Sequence, residues 1–306
     1  MIDDAFLADW CGRHLGARPA RVLFRSGHLS QVTGVEFADG RQAVIKARPA
    51  GLRIAGCVAV QRHLAGHGFP CPAPLTDALQ HGGLTVTAET LVPGGSQLPA
   101  ERGAAPFAAL LAQLVSSAPG ASCVPWLTPS PPWTGWDHPG SGVWPDRDDL
   151  GRDLNRVPGP AWVNDAARRV RERLSACGAP ARIGHGDWES QNIRWSDGHP
   201  LAVHDWDSVI AQPETAIVGL ASAVWPAAGA PGEAATVAQS TDFITAYQQA
   251  AGRLWDEREI QDVWAAGLWV RLFNARKDAA DGGGPQVDRL VGELGERLAR
   301  AGLSSR

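Results

Sequence analysis

Residues 183–207 read Ile183-Gly-His185-Gly-Asp187-Trp-Glu189-Ser-Gln-Asn192-Ile-Arg-Trp195, then Ser196-Asp-Gly-His-Pro200, then Leu201-Ala-Val-His204-Asp205-Trp206-Asp207. Two short apolar runs, Ile193 to Trp195 and Leu201 to Val203, flank a segment with the Asp-Gly chemistry of a tight hairpin turn. The expected local structure is a loop, a strand, a turn and a second strand with acidic residues at its exit. Such a hairpin holds Asp187, Asn192 and Asp205 near one another on rigid supports. Either aspartate taken alone reads equally well as a turn residue; the ordered set is what carries chemistry.

One asparagine and two aspartates in this order suit metal-assisted phosphoryl transfer. One carboxylate orients an attacking hydroxyl and accepts its proton, while an amide oxygen and the second carboxylate hold Mg2+ against nucleotide phosphates. Mg2+ takes oxygen ligands, often only one or two from protein, so the trio fits it better than zinc. His-Gly-Asp, four residues, Asn, and then Asp after a hairpin resembles the aminoglycoside phosphotransferase and choline kinase superfamily, which has the protein-kinase-like fold. The resemblance implies an α+β, bilobal architecture, with a small antiparallel β lobe at residues 1–92 and a larger, mainly helical lobe at 93–306. It implies Asp187 as the catalytic residue, Asn192 and Asp205 as ligands of Mg2+, and ATP as donor with GTP as the alternative. His185 is expected to brace the loop.

Toward the N-terminus, residues 3–16 form an expected short helix ending at Gly16. Arg21 to Arg25, Val32 to Phe37 and Gln42 to Ala47 are β-rich runs joined by turn signals, an antiparallel meander. Lys46 closes the third run. Burying an ammonium without a partner is costly, so a lysine at a strand edge is the plain reading. The resemblance makes Lys46 the residue that grips nucleotide phosphates. Ser26-Gly27-His28-Leu29-Ser30 then covers those phosphates, with Gly27 and Ser30 as contacts and one glycine where protein kinases have three. A helix over 50–67 leads into the stiff connector Gly68 to Pro74. In the family this helix usually carries a glutamate that pairs with the lysine. Here Arg53 to Gln61 contains no acid: the place falls near Cys57, with Gln61 one turn later. Lys46 therefore pairs with Asp205 alone, or with a glutamate from elsewhere. His63 and His67 lack the intervening glutamate of a metalloprotease and read as a surface helix end. Leu84 to Val92 alternates like a strand and stops at Pro93-Gly94-Gly95, a hinge. By resemblance, the backbone from Glu89 to Leu91 hydrogen-bonds the adenine.

In the second half, Phe107 to Val115 is a compact core helix. Residues 119–161 are irregular, rich in tryptophan (Trp126, Trp133, Trp136, Trp144) and in acids. The family places its variable acceptor-binding elements in this lobe, which makes Trp133 and Trp136 acceptor contacts alongside Glu189 and Asp207. The plainer alternative is that the tryptophans pin a long loop to the core and the acids are solvated. Helices are expected at 162–176, 214–225, 242–251, 259–280 and 287–301, with Val263, Trp264 and Leu268 on one buried face. The arginines at 168–173 read as a solvated helix face.

Composition closes off other classes. The 306 residues exceed a typical single core, and 44% hydrophobic with 20% charged residues is ordinary for a globular protein. A net charge of −4 gives no footprint for nucleic acid. The five cysteines are scattered with no Cys-x-x-Cys pair, and neither a signal peptide nor a membrane span is visible, so a reducing cytoplasm is expected. The functional expectation is a kinase for a hydroxylated small-molecule acceptor, first an aminoglycoside or another hydroxylated antibiotic. A metabolic kinase acting on a sugar, choline-like or amino alcohol stands beside it. A catalytically inactive nucleotide-binding scaffold and a drug-sequestering protein are the readings from other classes. Trp206-Asp207 after Asp205, in place of Phe-Gly, speaks against a protein kinase.

Overall fold

The computed structural model describes residues 2–27 and 29–303. Helix α1 (Asp4–His14) starts at Asp3, whose carboxylate accepts the Phe6 amide at 2.8 Å, and it buries Leu7, Trp10 and Cys11. These three pack on a five-stranded antiparallel sheet built from β1 (Pro19–Gly27), β2 (Gln31–Phe37), β3 (Gln42–Pro49), β4 (Leu79–His81) and β5 (Leu84–Thr90). The spatial order is β1-β2-β3-β5-β4. The three-strand meander is as expected; β4, three residues long, is too short to leave a periodic signal.

Helix α2 (Arg53–Gly66) follows β3. Its buried Cys57, Val60 and Leu64 join the large core of the second half of the chain, while the sheet and α1 enclose a core of their own. His63 and His67 stack ring on ring at the end of α2, 4.1 Å between centroids.

The remaining architecture is helical: α3 (Ala105–Ser117), α4 (Ala161–Ser175), α5 (Glu214–Val224), α6 (Val237–Ala251), α7 (Glu257–Ala280) and α8 (Pro285–Arg300). α6 begins five residues before its expected start because Thr236 and Gln239 form a capping box. α5 and α7 lie in backbone contact. A Cβ on Gly219 would sit 2.1 Å from the Val263 carbonyl, and one on Gly267 would sit 2.8 Å from the Gly219 carbonyl.

Two ribbons carry the signature stretch. β7 (Ile193–Ser196) and β8 (His199–Val203) form the expected hairpin. Its two turn residues, Asp197 and Gly198, both have positive φ, 50° and 78°, the requirement of a two-residue turn that matches strand twist. Around it, β6 (Ala181–His185) pairs antiparallel with β9 (Val209–Pro213). Neither outer strand is evident from sequence, because each finds its partner only across the hairpin.

The segment 119–161 has short 3-10 turns and no longer element. Arginines hold it. Arg171 on α4 donates to the carbonyls of Trp136, His138, Gly140 and Gly142. Arg276 on α7 donates to those of Leu154, Val157 and Pro158. The expectation of a solvated arginine face on α4 is therefore corrected: Arg171 is half-buried and satisfies loop carbonyls, and Arg173 pairs with buried Asp262 at 2.9 Å. Among the described residues no helix is long and apolar enough to cross a membrane.

Candidate active site

His185 ends β6 with its ring fully buried between Trp188 and Trp206, both edge-on at 5.7 and 5.8 Å. Its Nε2–H donates to the His204 carbonyl at 3.0 Å, and its Nδ1 accepts the Asp187 amide at 3.2 Å. A carbonyl can only accept and an amide can only donate, so the ring is the neutral Nε2–H tautomer. Burial pushes its pKa down to about 4, which agrees. His185 thus ties the start of the catalytic loop to the residue before Asp205, the bracing role expected of it.

The loop is fixed from within and from below. Asn192 Nδ2 donates to the Asp187 carboxylate at 2.9 Å and to its carbonyl at 3.0 Å. The Asn192 carbonyl accepts the His204 amide at 2.8 Å. The Ser190 and Gln191 amides donate to the Trp225 and Ala227 carbonyls, beyond the end of α5. Asp187, Asn192 and Asp205 are brought together as the sequence implied.

Asp205 adopts the left-handed conformation, φ 60° and ψ 47°, and its carbonyl accepts the Ser208 amide at 2.9 Å. Aspartate is one of the few residues that enter this region at modest cost, and the kink turns its side chain toward the cleft. Two residues on, Asp207 is paired with Arg48 of β3 at 3.0 Å. Arg53 of α2 donates to the Asp207 and Val209 carbonyls.

The lysine finds its partner on a strand. Lys46 Nζ lies 2.8 Å from Glu89 Oε1, and both side chains are buried. Of the two alternatives for Lys46, a glutamate from elsewhere is the one observed. Gln61 of α2 donates through Nε2 to Glu89 Oε2 at 3.0 Å and to the Pro72 carbonyl at 2.8 Å. The backbone around Glu89 is also engaged. The Thr90 amide donates to the Ala73 carbonyl at 2.9 Å, and the Leu91 amide lies 3.4 Å from the Gln42 carbonyl, a long contact that leaves it within reach of a base.

Electrostatics divides the acids into two kinds. Burial, then the charges of Glu189 and Asp205, raise the Asp187 carboxyl well above its usual range against the Asn192 hydrogen bond. Asp205 is open to the cleft, yet the surrounding protein wall and the charge of Asp207 still raise it. Glu189 is pushed to about 7, first by burial and then by Asp205 and Glu233. For Asp207 burial acts upward but Arg48, then Lys46, outweigh it and hold the carboxyl low. On Lys46 burial acts downward and Glu89, Asp205 and Asp207 outweigh it, so the ammonium stays charged. Among the described residues neither Asp187 nor Asp205 forms an ion pair of its own, although the charges of Lys46 and Arg48 act on Asp205, and the mutual repulsion of the two carboxylates is what a cation would relieve.

Two cavities meet here. One, about 650 Å³, lies between Gly27 and Ser30 above, Asp187 and Glu189 below, and Trp133 and α7 at the side. The other, about 640 Å³, is bounded by Lys46, Glu89, Leu91, Val44 and the Gly94-Gly95 turn. Asp205 lines both, Asp187 only the first and Lys46 only the second. His28 of the covering loop lies outside the described residues.

Trp136 is corrected: it is 3% exposed in the core, and no face of it is open to an acceptor. Trp133 does line the first cavity and donates from Nε1 to the Gly186 carbonyl at 2.8 Å. Asp207 lines it too, with its charge already matched by Arg48. Asp149, one of the acids of the irregular segment expected to wall the acceptor site, lines the cavity and pairs with Lys277 at 2.5 Å; sequence reasoning did not single out the α7 residues Phe273, Asn274 and Lys277. Their spacing on one face of a predicted helix was the available signal. Arg48 was also missed, although two residues beyond Lys46 on a strand puts it on the same side.

Residues 22–263 match the phosphotransferase enzyme family, APH. The chain belongs to that family. Family membership makes it a small-molecule kinase. Among curated proteins, none matches the sequence. Among solved structures, the chain is similar to the amicoumacin kinase hAmiN in complex with AMP-PNP, Ca2+ and Ami, at TM-score 0.65 and 11% identity, over 98% of this chain and 94% of that one. It is similar to a thermostable mutant of aminoglycoside phosphotransferase APH(4)-Ia with AMP-PNP and hygromycin B, at TM-score 0.61 and 16% identity, over 98% and 99%. A protein assigned as a fructosamine-3-kinase from Thermobifida fusca YX-ER1 matches at TM-score 0.56 and 18% identity, over 97% and 100%. At these identities the likeness establishes the protein-kinase-like fold.

Proposed function

We propose that the protein transfers the γ-phosphoryl group of ATP, with Mg2+, to a hydroxyl of a small molecule, an aminoglycoside or another hydroxylated antibiotic being the first choice. One observation carries this reading: Asp205 borders both cavities, with Lys46 on one side of it and Asp187 on the other. Nucleotide phosphates held by Lys46 would then end at Asp205, where Gly27 and Ser30 cover the first cavity, and an acceptor hydroxyl would meet them from the Asp187 side.

Asp187 orients that hydroxyl and takes its proton as the oxygen–phosphorus bond forms and the bond to the departing nucleoside diphosphate breaks. Asn192 keeps Asp187 in place with its NH2 group, which leaves its Oδ1 directed away and free to bind metal. Asn192 Oδ1 and Asp205 would hold Mg2+, which neutralises charge on the phosphates and in the transition state. Among the described residues no three His, Cys, Asp or Glu side chains gather tightly enough to hold an ion alone. That fits Mg2+, which takes few protein ligands and draws the rest from phosphate and water. Catalysis by positioning and charge neutralisation needs no other group.

The acceptor cavity combines Glu189, the Trp133 and Phe273 rings and the Lys277–Asp149 pair. Carboxylate and ring faces suit a cationic or sugar-like acceptor. A metabolic kinase acting on a sugar, choline-like or amino alcohol is the second reading, and the same carboxylate and ring faces would serve it. Two features favour an inactive scaffold, the missing helix carboxylate and the single glycine of the covering loop; Glu89 supplies the carboxylate from another element.

The test is release of nucleoside diphosphate from Mg-ATP and Mg-GTP against a panel of aminoglycosides, other hydroxylated antibiotics, sugars and amino alcohols, with Asp187→Asn alongside. Acceptor-dependent release lost in the variant is the expected result. Absence of nucleotide binding in the wild type would overturn the reading.

A further inference from the structure

We propose that Glu89 and Gln61 form a relay that positions Lys46 from the sheet, with Glu89 as counterion and Gln61 as its positioning residue. This rests on the reading of Lys46 as the group that holds nucleotide phosphates.

The register makes the pairing possible. β3 and β5 are antiparallel neighbours, with Glu89 opposite Val44 and Thr87 opposite Lys46. Glu89 is therefore the diagonal neighbour of Lys46 on the same face of the sheet, a separation that two long side chains close easily. Their contact at 2.8 Å uses one carboxylate oxygen. The other accepts Gln61 Nε2 at 3.0 Å. Lys46, Gln61 and Glu89 are 7%, 3% and 6% exposed, so water does not substitute for any of these bonds.

Gln61 is specified by chemistry as well as by place. Its Nε2 donates twice, to Glu89 and to the Pro72 carbonyl, so both amide protons are used. A glutamate at 61 would set one carboxylate against a carbonyl oxygen and against the Glu89 carboxylate. The helix position that carries no acid is thus occupied by the one side chain of that length that can donate to both acceptors. The far end of α2 is held by Arg53 on the Asp207 and Val209 carbonyls. One helix therefore fixes the lysine relay and the backbone just past Asp205, and Lys46 is aimed without a carboxylate on that helix.

The experiment is calorimetric binding of Mg-AMP-PNP and, separately, of adenosine to the wild type, Gln61→Leu, Gln61→Glu, Glu89→Asp and Glu89→Gln, with thermal unfolding of each. Gln61→Leu is expected to weaken Mg-AMP-PNP about 10-fold and Glu89→Gln about 100-fold, the scale of hydrogen bonds to charged groups. Adenosine binding stays within about twofold of wild type, because Lys46 serves phosphates alone. Gln61→Glu binds Mg-AMP-PNP no better than Gln61→Leu, and Glu89→Asp falls between wild type and Glu89→Gln. If Glu89→Gln unfolds because its lysine is stranded, Gln61→Leu, which keeps the ion pair, decides the matter. Equal losses for both ligands, or none for either, would reduce Gln61 to a structural role and overturn the relay. So would tighter Mg-AMP-PNP binding by Gln61→Glu. A wild type that binds adenosine but gains nothing from Mg-AMP-PNP would instead remove the role given to Lys46.

Discussion

The catalytic stretch and the segment 119–161 fix their irregular backbone by largely different means. In the stretch from 185 to 208 the loop is held first from within, with added support from the Trp225 and Ala227 carbonyls and from Arg53. His185 reaches the His204 carbonyl, Asn192 reaches Asp187, and the Asn192 carbonyl meets the His204 amide. In 119–161 internal bonds such as Asn155 to the Trp144 carbonyl are joined by arginines from outside, Arg171 on α4 and Arg276 on α7, which meet seven carbonyls between them. A self-held loop keeps its geometry when its surroundings change, which suits groups that must meet reacting atoms to a fraction of an ångström. An externally held loop can vary in length and sequence while its anchors stay, which suits a wall that meets different acceptors.

The largest expected effect tests the first half of that contrast. Asp187→Asn should lower kcat by roughly 10²–10⁴-fold, the usual contribution of a positioned base. The amide still accepts the Asn192 hydrogen bond, so the unfolding midpoint and nucleotide affinity should hold. A loss of nucleotide binding equal to the loss of turnover would mean that Asp187 supports the loop rather than the chemistry.

The brace makes a pH-dependent claim. His185 has a pKa of about 4 in the folded chain against 6.5 when exposed, because burial excludes the charged ring. Between those values the unfolded chain binds the extra proton, so this stabilisation is present above pH 6.5 and is lost as pH falls toward 4. The full loss is about 3 kcal/mol. His185→Gln, which can still donate to the His204 carbonyl, should flatten the slope of urea-unfolding stability between pH 7 and pH 4.5. An unchanged slope would place the pH sensitivity elsewhere.

Arg171→Met tests the other half. It leaves four loop carbonyls to water, a cost of about 2 kcal/mol where they are partly buried. Acceptor KM should rise and kcat should change little. A drop in kcat at constant KM would show that the wall and the catalytic loop are one unit.

The same contrast explains what could be read from the chain. The hairpin, its Asp-Gly turn and the Asp187–Asn192–Asp205 order were legible because their determinants lie within a few residues of one another. So was the β1–β3 meander. The outer strands β6 and β9 were not, since each is five residues long and its pairing spans the hairpin. The partner of Lys46 was not, since Glu89 comes beside it only once β5 pairs with β3. The tryptophans of 119–161 looked alike in sequence. Packing sent Trp136 into the core and left Trp133 at the cavity, a difference set by α4 and α7, which lie far along the chain.

Trp133 gives the smallest and most discriminating prediction, because it is where the two regions touch. Its Nε1–H donates to the carbonyl of Gly186, the residue between His185 and Asp187, and its ring lines the acceptor cavity. Trp133→Phe keeps most of the ring and removes the donor. Gly186 still has its amide bonded to the Ser208 carbonyl at 2.7 Å, so the loop should stay in place and lose about 1 kcal/mol at most. The expected result is an acceptor KM raised by a few-fold, with kcat and nucleotide KM near wild type. A tenfold fall in kcat would mean that the catalytic loop leans on the externally held segment after all, and that the division between the two regions fails at their only observed hydrogen bond.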